Sequence, residues 1–379
     1  MDVKDFEFGD DEPVEVPATS SASSPSPQAV VHSVGNPDFA AVNRLQDGDY
    51  HPVVLIGSSA SGKSALLLSL LAYMRSAPEN SVGMFFGHDF YQANNSDSLE
   101  QATEFFNRTL AEFMSGTTAR ATRIKGKPLF IPIVLKSELL QREIKLVFME
   151  SEGEWYQPDP NSSRYYKGLR PEIERLLADY PHGISFVWVA PYSARDATQS
   201  STSDPLSQIR TANASLQGAF QEYVAVRYQQ AYDKHMMLVT KWDLYTTDSD
   251  EGTKDPDYRL DRANDKIMRE YAKEFLSKNY ASAYSSFAGL GELGQKTLFR
   301  YTAGAFRERT IKNPRPELQE TLLSYPRDVW NWIYSGAQGS NEASGLPPGP
   351  LIPKPEPPKR TLLGSILHLW DKFTNLIFG

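Results

Sequence analysis

Residues 51–71 read HPVVLIGSSASGKSALLLSLL, and this stretch decides the fold. The apolar run Val53–Ile56 has the composition of a buried strand, and the residues after Ser64 have that of a buried helix. Between them lies G-x-x-x-x-G-K-S, whose glycines let a loop curl until its backbone N–H groups point at phosphate oxygens. The helix that follows directs its positive end at the same anion. The stretch predicts a phosphate-binding loop for a nucleoside triphosphate, and the alternative is a plain Gly-Ser turn between a strand and a helix.

Individual side chains of this loop have separate expected roles. Lys63 is expected to reach the terminal phosphates and to assist catalysis, and the Ser64 hydroxyl is expected to ligate Mg²⁺. The residues expected to bind the nucleotide here are Gly57, Ser58, Ser59, Ala60, Ser61, Gly62, Lys63, Ser64 and Ala65.

Composition narrows the possible functions. The 379 residues have a formal net charge of −8 and therefore no overall basic field, so we predict no binding to nucleic acid. The absence of cysteine excludes disulfides, thiolate catalysis and cysteine-ligated metals, and it agrees with a reducing compartment. The first residues are acidic and lack the basic and apolar segments of a secretory signal. We therefore expect a cytoplasmic protein.

Changes in composition along the chain predict four segments. Residues 1–37 are acidic and rich in Ser, Pro and Ala, which predicts a disordered tail. Residues 38–336 alternate apolar strand and helix patterns, with a helical insert at about 78–116. Residues 337–360 are dominated by Gly, Ser and Pro and predict a semi-rigid linker. Residues 361–379 form a candidate amphipathic helix.

Within the central segment, the alternation predicts an α/β fold with a mostly parallel sheet and helices on both faces. Besides the first strand, the predicted strands are Val82–Gly87, Pro128–Leu135, Ile144–Met149, Ile184–Ala190, Met236–Val239 and Thr297–Tyr301. The predicted helices cover Ser98–Met114 and Ser207–Tyr232, and a closing helix contains Leu318, Leu322, Leu323, Val329, Trp330 and Ile333.

An acidic motif, ESEGE, follows the strand that ends near Met149. A carboxylate at the tip of a strand beside a phosphate loop can hold the Mg²⁺ shell, which makes Glu150 a candidate metal-site residue. Gly153 can offer its N–H to the γ-phosphate. A solvated acidic turn is the alternative.

A second motif, TKWD, follows the strand that ends at Val239. The carboxylate of Asp243 can accept hydrogen bonds from N1–H and the 2-amino group of guanine, which adenine cannot supply. Lys241 can lie along the purine, and Thr240 starts the same loop. After the last strand, Thr302 and Ala303 can bring a backbone N–H to the purine oxygen, although a small-residue turn explains them equally well.

The ordered set GSSASGKS, ESEG, TKWD and the weaker TAG resembles the motif series of the translation-factor and Ras-like (TRAFAC) class of P-loop GTPases over about residues 50–336. Within that class, the chain most resembles predicted bacterial double-GTPase domain proteins of multi-gene conflict systems. The resemblance implies a three-layer P-loop fold. It also implies GTP or GDP with Mg²⁺ as ligands and a slow GTPase that acts as a nucleotide switch.

The same resemblance suggests two further catalytic residues. The spacing from Gly116 makes Thr122 the candidate switch threonine over Mg²⁺ and the γ-phosphate, with Thr117 and Thr118 as alternatives. Glu154 stands where Ras-like proteins have a glutamine that positions water. Arg120 is a candidate arginine finger, and a solvated arginine on a loop is the simpler interpretation.

Besides Glu154, the chain departs from the class pattern in three places. Glu150 stands where aspartate is usual, and Ser59 lies where many small GTPases have glycine. Thr240 replaces the usual asparagine of N-K-x-D, which puts one loop-bracing hydrogen bond in question.

The C-terminal segment has one broad apolar face that includes Trp370 and Phe373. Three interpretations remain open: binding in a membrane interface, docking into the groove of a protein partner, or packing on the chain's own domain. For the whole chain, a non-hydrolysing nucleotide-binding scaffold and a P-loop ATPase are the alternative functions.

Overall fold

The computed structural model describes residues 39–76, 82–91, 96–116, 128–137, 143–150, 153, 169–192, 205–227, 230–242, 266–290, 295–303, 305–307, 317–320, 324–339 and 350–353. The N-terminal tail expected at 1–37 and the amphipathic helix expected at 361–379 lie outside these residues.

A seven-stranded sheet forms the centre of the fold. Its strands are β1 (His51–Ile56), β2 (Gly83–Phe86), β3 (Leu129–Lys136), β4 (Ile144–Glu150), β5 (Ser185–Pro191), β6 (Lys234–Thr240) and β7 (Gln295–Arg300). Their order is β2-β3-β4-β1-β5-β6-β7, and every neighbouring pair is parallel except for β3, which runs antiparallel to β2 and β4. A separate antiparallel pair joins β8 (Ala305–Arg307) to β9 (Glu317–Glu320). The predicted α/β fold with a mostly parallel sheet is confirmed.

The helices form two packed groups. They are α1 (Phe39–Gln46), α2 (Lys63–Ser76), α3 (Ser96–Glu104), α4 (Leu110–Met114), α5 (Pro171–Asp179), α6 (Pro205–Val226), α7 (Lys266–Asn279), α8 (Ala281–Ala288) and α9 (Ser324–Gly339). In one group α2 packs on α4 and α9, and in the other α6 packs on α5, α7 and α8 while α1 packs on α5. This division is what a sheet with a helical layer on each face requires.

The burial of the strands explains why their apolar runs could be recognised in the sequence. All residues of β1 and β5 are buried, because each strand has parallel neighbours on both sides and helices on both faces. The edge strand β2 is only partly buried, and Phe85 is 52% exposed. The most deeply buried strands of the sheet are therefore β1 and its neighbours.

Helix α9 is fixed to α2, the helix that follows the predicted phosphate loop. The Trp330 indole Nε1 donates a hydrogen bond to the backbone oxygen of Leu70 in α2 at 2.8 Å, and both residues are buried. A buried indole usually needs such a partner, so this contact sets the position of α9 along α2.

The parallel strands β1, β4, β5, β6 and β7 end at one edge of the sheet, which we call the carboxyl edge. In open α/β sheets the connections that leave this edge are where ligands bind. The three predicted motifs leave from β1, β4 and β6 there, and the TAG segment follows β7.

Several element predictions need correction in detail. Leu318 lies in β9 and not in the closing helix, which begins at Ser324. The predicted helix that ends at Tyr232 stops at Val226, and a short 3₁₀ turn follows at Gln230–Tyr232. The helix expected over 98–114 contains a π-type turn, Phe105–Thr109.

The expected linker is partly ordered. Helix α9 continues to Gly339, past the expected linker start at residue 337, and residues 350–353 pack back on the domain. Ile352 is 1% exposed. The Asn331 side chain donates a hydrogen bond to the backbone oxygen of Ile352 (2.9 Å) and accepts one from the backbone N–H of Ile352 (2.8 Å). Among the described helices, none is both long and apolar enough to cross a membrane.

Candidate functional site

The predicted phosphate loop connects the end of β1 to the first residue of α2, Lys63. A Cβ on Gly57 would lie 2.8 Å from the Ser61 hydroxyl oxygen and 2.9 Å from the Val189 backbone oxygen, so the chain there has no room for a side chain. Gly62 has a φ of 90°, a left-handed value that glycine adopts without strain. These two positions explain why the loop needs the glycines of its motif.

The Lys63 ammonium is buried and bends back over its own loop. Its Nζ donates hydrogen bonds to the backbone oxygens of Gly57 at 2.9 Å and Ser58 at 3.1 Å. Burial lowers the pKa of Lys63 to about 8, while the nearby Glu150 carboxylate acts in the opposite direction. The lysine therefore stabilises the curled loop and places a titratable cation at its centre.

Glu150, the last residue of β4, lies against the first turn of α2. The Ser64 hydroxyl donates a hydrogen bond to Oε1 of Glu150. The second carboxylate oxygen, Oε2, is buried and has no hydrogen-bond partner within the described part of the chain. Burial raises the pKa of Glu150, opposed by the charge of Lys63 and by the bond from Ser64.

This donor set fits the Mg²⁺ that the motif implies. Magnesium prefers hard oxygen ligands and is usually held by one or two carboxylates together with nucleotide phosphates. Glu150 and Ser64 provide a carboxylate and a hydroxyl side by side, and the unpartnered Oε2 of Glu150 can turn toward a cation. These two residues would hold the ion.

Gly153 lies directly on the phosphate loop. A Cβ at this position would overlap the backbone N of Ser59 and the carbonyl carbon of Ser58. Only glycine allows this approach of two main chains. The second predicted motif is therefore brought to the first, as the phosphate-site hypothesis requires.

The loop after β6 is tied to the phosphate loop by a side chain. The Thr240 hydroxyl donates a hydrogen bond to the Ser61 backbone oxygen at 2.6 Å, and Thr240 is buried. The sequence had put one loop-bracing hydrogen bond in question because threonine replaces asparagine there. The structure supplies such a bond from the shorter side chain.

The next two residues of the chain, Lys241 and Trp242, are held in place by their surroundings. Lys241 has a φ of 58°, which is uncommon for a residue other than glycine and needs support from its surroundings. Trp242 is fully buried, its ring edge-on to Phe275 of α7 with centroids 6.1 Å apart. Arg300 of β7 lies over the Trp242 ring at 5.9 Å. The sequence analysis assigned no role to Trp242 or Arg300. Their packing holds the start of this loop in the core.

The last predicted segment starts where β7 ends. Thr302 is fully buried and Ala303 packs against the core, at the same sheet edge as Thr240 because β7 is the parallel neighbour of β6. The third residue of the segment, Gly304, lies outside the described residues.

Several predicted site residues also lie outside the described residues. They are Asp243 of the base motif, Glu154, and Thr122 with its neighbours Thr117, Thr118 and Arg120. The residues that the structure brings to one edge are Gly57–Ala65, Glu150, Gly153, Thr240, Lys241, Thr302 and Ala303.

A groove of about 420 Å³ lies outside the predicted site, against the strands β2, β3 and β4. Its lining residues are Phe85, Phe86, His88, Asp89, Val134, Lys136, Glu143 and Lys145, and none of them belongs to the predicted site.

Comparison with known proteins gave structural similarities only. No protein-family model matches the sequence, and no curated protein matches it. The chain is similar to two crystal structures of the GTPase-like domain of S. cerevisiae Ski7, one bound to GTP and one bound to GDP and inorganic phosphate. The identities are 11% and 12%, with TM-scores of 0.26 and 0.27. The matches cover 67% of this chain and 42% and 43% of those chains, so the chain spans less than half the length of either.

Proposed function

We propose that the protein binds GTP and GDP at the phosphate loop and hydrolyses GTP slowly, as a nucleotide-dependent switch. The observation that supports this most is the meeting of three separate motifs at one edge. Ser64 is bonded to Glu150, Gly153 lies on Ser59, and Thr240 is bonded to Ser61. A turn between an ordinary strand and helix has no need of these contacts.

Phosphate binding would use the loop and its lysine. Backbone N–H groups of residues 58–64 and the start of α2 attract the anion. Lys63 would exchange its hydrogen bonds to Gly57 and Ser58 for hydrogen bonds to the terminal phosphates. A hydrogen bond to a charged phosphate oxygen is stronger than one to a backbone carbonyl. Glu150 and Ser64 would hold Mg²⁺, which neutralises the charge on the phosphate oxygens when bound.

Base recognition would come from the loop after β6. Thr240 fixes the start of this loop to the phosphate loop, so the base and the phosphates are bound at a constant separation. We propose that Asp243 accepts hydrogen bonds from guanine, that Lys241 lies along its ring, and that Thr302 and Ala303 approach its oxygen.

Hydrolysis is the part of the proposal that depends on Glu154 and Thr122. Glu154 would orient the attacking water, and Thr122 would close over the γ-phosphate. A carboxylate in place of glutamine favours slow turnover, so a protein partner that accelerates it fits the proposal. The motif order also supports placement with the bacterial double-GTPase proteins named above.

We also propose that residues 361–379 attach the switch to a protein partner or to a membrane surface. The large apolar side chains of this segment need a surface to cover them. In this proposal the protein is cytoplasmic, with any membrane association peripheral.

Competition against fluorescent GTP tests the proposal. Unlabelled GTP and GDP should displace the label, and ATP should not. Asp243→Asn should shift the preference toward xanthine nucleotides, because an amide can donate to the xanthine 2-oxygen. Measurement of phosphate release from GTP then tests the proposed hydrolysis. Glu154→Ala should slow phosphate release without weakening GTP binding. Displacement by ATP as effective as by GTP would favour the ATPase alternative, and absent phosphate release would favour the scaffold.

A further inference from the structure

Tyr301 is the residue after β7, and it is buried beside the start of the loop that follows β6. The residue is 1% exposed, and its ring lies edge-on to Tyr325 of α9 at 6.0 Å between centroids. The sequence analysis gave it no role beyond the end of a strand.

The main chain of Tyr301 holds the loop after β6. Its N–H donates to the backbone oxygen of Val239 at 2.7 Å, and its own oxygen accepts from the N–H of Trp242 at 3.2 Å. Val239 and Trp242 flank Thr240 and Lys241, including the residue with left-handed φ. The two bonds therefore clamp both ends of the segment that would position the base.

The side chain of Tyr301 reaches the other half of the site. Its hydroxyl is hydrogen-bonded to the hydroxyl of Ser69, which is in α2, the helix that begins with Lys63 and Ser64. Ser69 Oγ also donates to the Leu66 backbone oxygen at 2.7 Å. Because a serine hydroxyl has a single proton, Tyr301 must be the donor to Ser69. Burial raises the pKa of Tyr301, which keeps that proton in place.

Tyr301 is thus bonded through its backbone to the loop after β6 and through its side chain to α2, the helix that follows the phosphate loop. The direct bond from Thr240 to Ser61 at 2.6 Å runs beside it and joins the same two halves. These two side-chain bonds join the loop after β6 to the phosphate loop and to α2, in addition to the pairing of the strands in the sheet.

We propose that Tyr301 is a positioning residue for the affinity of guanine nucleotides, setting the separation between the base-reading loop and the phosphate loop through its hydrogen bond to Ser69. This inference rests on the proposed function. A ligand that binds both loops depends on their separation, whereas a ligand that binds only the phosphate loop does not.

Tyr301→Phe tests the inference, because it removes the hydroxyl and keeps the ring. GTP and GDP should bind about three- to tenfold more weakly, the range expected for one lost hydrogen bond. Inorganic tripolyphosphate, which occupies the phosphate loop alone, should bind as it does to the parent. Ser69→Ala should reproduce this pattern from the α2 side and serves if Tyr301→Phe folds poorly.

Tyr180→Phe is the matched control. It removes a buried tyrosine hydroxyl whose bond, to the Tyr50 backbone oxygen at 3.3 Å, lies at the opposite edge of the sheet, before β1. This variant should bind GTP and tripolyphosphate as the parent does. The inference is overturned if Tyr301→Phe and Ser69→Ala keep the GTP affinity of the parent, or if they weaken GTP and tripolyphosphate equally. A parent that binds tripolyphosphate but not GTP would instead refute the proposed function.

Discussion

The hydroxyl of Ser64 donates a hydrogen bond to Oε1 of Glu150, and this contact joins the first turn of α2 to the end of β4. The two residues are far apart in the chain but meet because β1 and β4 are parallel neighbours, with Leu55 opposite Glu150 in the register. A hydroxyl and a carboxylate meeting beside a buried lysine form the chemical centre of the proposed site.

Glu150→Gln should reduce the dependence of GTP binding on Mg²⁺. Glutamine keeps an oxygen that accepts the bond from Ser64, but it removes the negative charge. With Mg²⁺ present, GTP affinity should fall by roughly one to two decades, the value of a charge-assisted contact, and with EDTA it should stay near that of the parent. An unchanged ratio of affinities with and without Mg²⁺ would remove Glu150 from the metal site.

Stability gives an independent test with the same variant. Burial raises the pKa of Glu150 above its unfolded value, so its ionised form opposes folding, and this cost is lost as the pH falls. Glu150→Gln should therefore melt no lower than the parent at neutral pH.

Gly153→Ala should damage the site by displacing a main chain. The added methyl would overlap the backbone N of Ser59, so the two segments must separate. We expect GTP affinity to fall at least about tenfold and GDP affinity to fall less, because the proposed contact of Gly153 is to the γ-phosphate. Gly289→Ala is the control, since its Cβ meets nothing closer than 3.4 Å and its φ of −75° suits alanine. Equal binding by both variants would mean that Gly153 has no role at the phosphates.

GTP binding should weaken as the pH rises past the pKa of Lys63. Burial lowers that pKa to about 8, so the nucleotide-free protein loses the positive charge above this pH. Phosphates favour the charged form, and binding should therefore take up a proton. The affinity should fall about tenfold between about pH 7 and about pH 9. Calorimetry in two buffers of different ionisation enthalpy measures the uptake directly, and Lys63→Ala should show none in this range.

Two C-terminal truncations should behave differently. A chain that ends at Arg360 retains Ile352 and should keep the melting temperature of the parent. A chain that ends at Gly349 loses the buried Ile352 side chain, worth about 1.5–3 kcal/mol, and should melt several degrees lower. Asn331→Ala should reproduce part of that decrease, because it removes both side-chain bonds to Ile352. If both truncations melt as the parent does, residues 350–353 do not stabilise the domain.

Local patterns explain which features could be predicted from the sequence. The strands β1, β5 and β6 are continuous apolar runs because they are buried on both faces, and the phosphate loop needs glycines at Gly57 and Gly62 for steric reasons. Such signals are contained in a few consecutive residues. They were sufficient for the α/β class and for the mostly parallel sheet.

Contacts between distant residues had no such signal. The bond from Tyr301 to Ser69 spans 232 positions, and a hydroxyl can pair with many partners. The bond from Thr240 to Ser61 was missed for the same reason, although its donor was visible in the motif. Leu318 was assigned to a helix because its spacing from later leucines is helical, whereas pairing with β8 makes it part of a strand. Tertiary pairing decided these positions.

Titration of GTP into the parent and into Lys63→Ala, both with Mg²⁺, tests the central claim most directly. The parent should bind GTP, and the variant should bind it roughly one to two decades more weakly, because a charged partner of the phosphates is lost. The same affinity in both proteins, or no binding by the parent, would contradict the assignment of residues 57–64 as a nucleotide phosphate loop.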